Sequence, residues 1–374
     1  MSLHLQNIDH VVGGQTHISG VNLELEPGSF NVLLGRTLAG KTTLMRLMAG
    51  LEQPTRGRIF MDGKDVTGVS VRKRNVSMVY QQFINYPSLT VRDNIASPLK
   101  LAKTPQQEID RRVGSIAEML HIEHLLDRYP QELSGGQQQR TAMGRALVKD
   151  ADLILFDEPL VNLDYKLREE LRDELRELFK ARNCIAVYAT TEPNEALALG
   201  GNTAVLHEGK LLQYGPTEQV YREPNGRHSA ETVSEPPINI VPGKLTATEI
   251  TFDQSLHFPC DPGLQRLTPG DYDFGVRASH ITLKPQSVDD LELPVRVDVA
   301  EISGSETFLH VRHERFPLVL HLAGIHEFHV NDAINVYFPT HQLYAFDKQG
   351  STVHIPSSAQ GSVAHGCDYF KRLG

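Results

Sequence analysis

The sequence has little cysteine, no long apolar run and no excess of positive charge, and each shortage excludes a class of protein. Its 374 residues include three cysteines, Cys184, Cys260 and Cys367. They are too few and too far apart for a disulfide framework or a cysteine-built zinc site. No apolar stretch approaches the ~18 to 20 residues that a membrane-crossing helix needs. The N-terminus, Met1-Ser2-Leu3-His4, lacks the charged-then-apolar order of an export signal. A cytosolic protein is expected, with any membrane association made by docking to another protein. The formal charge is -9, from 37 Lys and Arg against 46 Asp and Glu. No basic face dominates, so no nucleic-acid partner is expected.

The length allows two domains, each with its own core. Through about residue 230, short apolar strands alternate with helical segments, the pattern of an α/β sheet. Phe30 to Leu34 reads as a buried strand running into a Gly-rich loop. After the loop, Leu44, Met45, Leu47 and Met48 form a helical apolar stripe stopped at Gly50. Residues 83–150 read as a separate helical lobe. Leu167, Leu171, Leu175 and Leu178 recur at helical spacing in a charged segment, the signature of a surface helix with one buried stripe. Residues 231–244, rich in Pro, Glu, Ser and Asn, read as a linker. Alternating segments over 245–350 predict a small β domain. Residues 351–374, rich in Ser and Gly, receive no functional reading.

The chemistry concentrates in three places. The first is Gly35-Arg36-Thr37-Leu38-Ala39-Gly40-Lys41-Thr42-Thr43. Gly35 and Gly40 permit backbone angles that turn consecutive N–H groups inward around phosphates. The helix that follows aims its positive end at the same place. Lys41 supplies a point charge to the β- and γ-phosphates, and the Thr42 hydroxyl is a Mg²⁺ ligand. The second is the apolar strand Leu153-Ile154-Leu155-Phe156, which ends in Asp157 and Glu158. Asp157 suits a Mg²⁺ ligand and Glu158 an acceptor for the proton of an attacking water. The two carboxylates repel unless a cation lies between them. The third is Leu133-Ser134-Gly135-Gly136-Gln137, about 100 residues beyond the loop, where a Ser and two Gly open a helix and make a second anion-binding surface.

These three elements in this order resemble the ATP-binding cassette of ABC transporters, over roughly residues 3–230. The resemblance implies an α/β fold with a P-loop, RecA-like core and helical lobe, followed by a small OB-like β domain. It implies ATP and Mg²⁺ at the loop, with Gln81 (or Gln82, by a one-residue shift) touching both the metal and a membrane partner. It also implies that Ser134, Gly135, Gly136 and Gln137 face the γ-phosphate held by an opposite subunit, with Leu163-Asp164 connecting the two sites. Tyr86-Pro87-Ser88-Leu89-Thr90 resembles importers of sugars and polyols, with Phe83, Ile84, Tyr86 and Leu89 lining a groove for a permease helix. Asp273 to His280 and Glu301 to Thr307 resemble turns and strands of the maltose and glycerol-3-phosphate importers. The implied partners are transmembrane permease subunits, a second ATPase and, indirectly, a periplasmic binding protein. The implied location is the cytoplasmic face of a bacterial inner membrane.

Two positions depart from the family pattern. Thr191 stands where the family carries a switch histidine. If that imidazole acts as a preorganised transition-state donor, its loss costs roughly 3 to 4 kcal/mol, or about 10² to 10³ in rate. Val12 stands where an aromatic stacks on adenine, a loss of about 1 to 3 kcal/mol that a valine recovers only in part. Arg36 also replaces a small loop residue. These departures favour a weakened site paired with a non-identical ATPase, whose site the signature here completes. Pairing with itself, with another group compensating, is the alternative. The loop spelling and missing histidine together resemble an ATPase subunit of bacterial glycerol importers, with glycerol and glycerol-3-phosphate the favoured substrates. A soluble ABC-type translation or repair factor fits less well, because such chains carry two cassettes or a long coiled coil. A catalytically quiet scaffold is a third class. The histidines at 310, 313, 321, 326 and 329 lack supporting Cys or paired carboxylates, and read as surface residues rather than metal ligands.

Overall fold

A computed structural model describes residues 1–357 except 162, 253–255, 289 and 315. Cys367 and the tail from 358 onward lie outside the described residues. Met1–Thr217 form one compact unit, and a second begins at Glu218.

In chain order the first unit comprises β1 (Leu3–Val12), β2 (Gln15–Leu25), β3 (Phe30–Leu34), α1 (Lys41–Ala49), β4 (Arg56–Met61), β5 (Lys64–Asp65) and β6 (Val76–Val79). Then come α2 (Val91–Leu101), α3 (Gln106–Met119), α4 (Gly135–Leu147), β7 (Leu153–Asp157), α5 (Tyr165–Ala181), β8 (Ile185–Thr190), α6 (Pro193–Leu199), β9 (Asn202–His207) and β10 (Lys210–Pro216). The central sheet has the order β10-β9-β3-β8-β7-β6. All its pairings are parallel except β9 with β10. Every residue of β7 and β8 is buried, as a parallel sheet covered on both faces requires. A second, antiparallel sheet runs β2-β1-β4-β5. Leu44, Met45, Leu47 and Met48 of α1 pack with Leu33, Leu155 and Val187 in one core, each such side chain contributing about 1.5 to 3 kcal/mol on burial. The helix ends as expected at Gly50, whose φ of 76° lets its N–H reach back to the carbonyls of Arg46 and Leu47.

The lobe expected over 83–150 contains α2, α3 and α4. In α5 the buried stripe is Leu171, Leu175 and Phe179, while Leu167 and Leu178 are only half-buried. The stripe advances by four residues at each step, so Phe179 takes the place expected of Leu178.

The second unit begins with α7 (Thr217–Arg222, at the boundary) and α8 (Arg227–Thr232). Its strands are β11 (Asn239–Leu245), β12 (Glu249–Phe252), β13 (Leu256–Pro259), β14 (Gly270–Val276), β15 (Leu291–Ser303), β16 (Glu306–Arg312), β17 (Pro317–Ala323), β18 (Ala333–Phe338), β19 (Tyr344–Phe346) and β20 (Thr352–His354). They form two sheets, β13-β12-β11-β14-β19-β20 and β17-β16-β15-β18. The β domain is therefore present. The linker expected at 231–244 differs, because its second half is β11, bonded to β14 along its full length. Pro242, which has no N–H to donate, lies outside the stretch of β11 that pairs with β12. Gly304, at φ 62°, makes the turn between β15 and β16.

Of the five histidines read as surface residues, His313 is buried. Its Nδ1 lies 2.9 Å from the Pro294 carbonyl and its ring 5.1 Å from that of Phe316. His321 stacks on Phe308 and pairs with Glu306 at 3.1 Å.

Candidate nucleotide site

The loop between β3 and α1 is shaped by two glycines. A Cβ on Gly35 would lie 2.5 Å from the Leu206 carbonyl oxygen, so no side chain fits there. Gly40 sits at φ 100° and opens α1 with no side-chain cap. The N–H groups of the helix's first turn therefore remain available to an anion. Arg36, Thr37 and Leu38 between the glycines are exposed, Leu38 almost fully so, and Ala39 is buried. Thr42 is exposed and Thr43 half-buried.

Lys41 is buried yet not isolated. Its ammonium donates to the carbonyls of Gly35 at 2.7 Å and Arg36 at 3.3 Å, and lies 3.4 Å from Glu158 Oε1. Burial pulls this amine below the ordinary lysine range, while Glu158 and Asp157 oppose the shift. Asp157, at the end of β7, is 3% exposed. Burial raises its carboxyl above the usual range, and a hydrogen bond from Thr42 works against that. Glu158 is held in a left-handed conformation at φ 49°, with its N–H bonded to the Ala189 carbonyl at 3.1 Å. Its other oxygen accepts from Gln81 Nε2 at 3.2 Å. The structure thus joins Lys41, Thr42, Gln81, Asp157 and Glu158, drawn from three segments, in one cluster of hydrogen bonds and ion pairs. Gln81 and not Gln82 makes the bond to Glu158. The donor set is hard oxygen from Thr42 and Asp157 beside a carboxamide oxygen, which suits Mg²⁺.

Val12 stands half-exposed at the end of β1, next to the Gly13-Gly14 turn. The same hairpin abuts the loop, since a Cβ on Gly40 would meet Ile18 Cδ1 at 2.8 Å. Thr191 follows β8 directly and is half-buried.

The signature segment forms a separate surface. Ser134 caps α4 in a reciprocal box: its Oγ accepts from the Gln137 N–H at 3.4 Å, and its own N–H donates to Gln137 Oε1 at 2.9 Å. Ser134 and Gly135 are exposed, and Gly136 is half-buried. Among the described residues no hydrogen bond links this tip to Lys41, Asp157 or Glu158. Asp164 caps α5, accepting from the Leu167 N–H at 3.0 Å. Ile84 and Tyr86 are exposed, with Phe83 and Leu89 half-buried. This segment is tied to α4: Asn85 Nδ2 donates to the Gln138 carbonyl at 2.8 Å, and the Arg145 guanidinium lies 4.8 Å from the centre of the Tyr86 ring.

Sequence reasoning missed the buried Glu195, which accepts from Tyr188 Oη at 2.6 Å and from the Thr190 hydroxyl. The available signal was one carboxylate among the apolar residues of a short helix just after Thr191.

The model of the family described as ABC transporter matches residues 18–161. The sn-glycerol-3-phosphate import ATP-binding protein UgpC of Brucella abortus is 36% identical over 93% of this chain and 98% of its own length. The trehalose/maltose import ATP-binding protein MalK of Thermococcus litoralis is 35% identical over 92% of this chain and 97% of its own. Among solved structures, the ATP-binding cassette MJ0796, in a dimeric post-hydrolysis state bound to ADP and Pi, is 27% identical with a TM-score of 0.53. That likeness covers 57% of this chain and 98% of the other. The chain belongs to the ABC transporter family: it is an ABC-type ATPase, the ATP-hydrolysing component of a transport system.

Proposed function

We propose that this chain powers a bacterial importer of a carbohydrate or polyol, glycerol or glycerol-3-phosphate being favoured. It works as a peripheral subunit on the cytoplasmic face of the inner membrane, beside transmembrane permease subunits and, through them, a periplasmic binding protein. The observation that carries the reading is the cluster of Lys41, Gln81, Asp157 and Glu158 around the glycine loop, combined with the relatives' import functions. Loop N–H groups and Lys41 bind the phosphates, and the hairpin carrying Val12 contacts the base. Thr42, Gln81 and Asp157 would hold Mg²⁺, which would supply charge neutralisation on the phosphates. Glu158 takes the proton of the attacking water, and its strained backbone aims the carboxylate outward from the strand end.

The exposed Ser134-Gly135-Gly136-Gln137 tip completes a site on a neighbouring ATPase. Because Thr191 replaces an imidazole, that neighbour is a non-identical subunit carrying the histidine. A quiet scaffold, binding ATP but hydrolysing it slowly, is the second reading, and Thr191 is the observation that favours it.

The test is uptake of labelled glycerol and glycerol-3-phosphate in cells lacking this chain, complemented by the parent or by Glu158→Gln. Uptake restored by the parent alone supports the reading. Full uptake with Glu158→Gln favours the scaffold, and normal uptake of both compounds without the chain removes the substrate assignment.

A further inference from the structure

Glu195 is 8% exposed, and none of its hydrogen bonds comes from a cation. Its two oxygens accept from Tyr188 Oη at 2.6 Å and from the Thr190 hydroxyl. Thr190 Oγ also accepts from the Glu192 N–H at 3.0 Å, so its one hydrogen is committed to Glu195 and its oxygen to the turn after β8. Tyr188 and Thr190 lie two apart on β8 and therefore point to one face of the sheet. The residue between them, Ala189, is in register with Asp157 of β7, and its carbonyl receives the Glu158 N–H at 3.1 Å. The Thr190 carbonyl in turn receives the Gly35 N–H at 3.4 Å. The Tyr188 ring packs 6.3 Å from Phe156, the residue before Asp157.

A non-glycine residue at positive φ persists only where its surroundings hold it, because the conformation costs of order 1 to 3 kcal/mol. Glu158 is such a residue. Lys41 and Gln81 hold its carboxylate, while its backbone is held by the same stretch of β8 that Glu195 grips.

We propose that Glu195 is a positioning residue for hydrolysis: by gripping Tyr188 and Thr190 it fixes the end of β8, whose Ala189 carbonyl keeps Glu158 in its strained, water-facing conformation. The proposal rests on the reading of Glu158 as the group that activates water. A glutamine at 195 matches the volume but offers one acceptor oxygen to two donating hydroxyls. One hydroxyl hydrogen is then left without a partner inside the protein, and the strand end loosens.

Three measurements on the full chain carrying Glu195→Gln test this: ATP affinity, single-turnover hydrolysis, and hydrogen exchange over peptides spanning 30–42, 91–119 and 153–160. A misplaced catalytic group lowers the rate by about tenfold or more, while ATP affinity stays within about threefold because uniform binding is retained. Exchange rises at Glu158 and stays unchanged in α2 and α3. Thr190→Val gives the same pattern, and Thr190→Ser, which keeps the hydroxyl, restores the parent's behaviour. If Glu195→Gln does not fold, the Thr190 pair decides. Unchanged exchange at Glu158, or equal behaviour of the valine and serine variants, overturns the proposal. A parent chain that binds ATP but does not hydrolyse it counts against the hydrolytic role proposed for this site, and the exchange readout still decides the fate of Glu195.

Discussion

Lys41 and Asp157 carry opposite charge in an environment that disfavours charge, and the two consequences separate cleanly. Asp157's carboxyl is raised by burial, so its folded value exceeds its unfolded one. Stability then falls as pH rises from the unfolded value through the folded one, and the cost is complete once pH exceeds the folded value. Asp157→Asn is expected to raise the melting temperature of the ligand-free chain at pH 7 while abolishing Mg²⁺-dependent hydrolysis. A calorimetric scan beside an ATPase assay checks both, and a lower melting temperature contradicts the account of the burial. Lys41→Ala removes a charge-assisted contact worth about 1.5 to 3 kcal/mol, so ATP binding should weaken roughly ten- to hundredfold by fluorescence titration. Thr191→His restores an imidazole at the end of β8. If its absence limits turnover, hydrolysis by this chain should rise by up to about 10² to 10³. No rise in a folded variant removes the argument for a weakened site.

The elements that position these residues were legible where the signal was local. The run Phe30–Leu34 into Gly35, the apolar stripe of α1 and the stop at Gly50 need only nearby sequence. So do Ser134 and Gln137, three residues apart as a capping box requires. Ser134→Ala should therefore cost about 1 kcal/mol of stability through the lost cap, measurable by urea titration. It should also reduce hydrolysis at a partner's site. What failed was non-local. Residues 239–244 have the composition of a linker, yet they pair with β14, whose first residue is Gly270, and no short window of sequence contains that partner. Glu195 was invisible for a similar reason: its role depends on which face of β8 it meets. His313 looked exposed because its bond to Pro294 crosses from one strand segment to another.

On the scale of the whole molecule, the two surfaces proposed to bind the triphosphate share one chain, and no hydrogen bond joins them among the described residues. Lys41, Gln81, Asp157 and Glu158 are joined by contacts at one surface, while the α4 tip faces solvent with its cap internally satisfied. A tip that needs nothing from its own chain is suited to a ligand held elsewhere, and a helix start with free N–H groups favours a phosphate. The order of the glycine loop, the diglycine tip and the paired carboxylates led the sequence reading to expect two such surfaces, and the structure places the tip and the cluster apart. The identity of the transported solute was not legible, because phosphate-binding glycines, a lysine and paired carboxylates are the same whatever solute is moved.

The most direct test traps the nucleotide by Glu158→Gln. The full chain is loaded with ATP and Mg²⁺, alone and mixed with a second import ATPase from the same cell, and sized by light scattering. A particle of two ATPase chains is expected, lost when Ser134→Arg blocks the tip. An ATP-loaded particle that remains a single chain in both mixtures, or a pair indifferent to Ser134→Arg, contradicts the claim that one chain's diglycine tip completes the other's site.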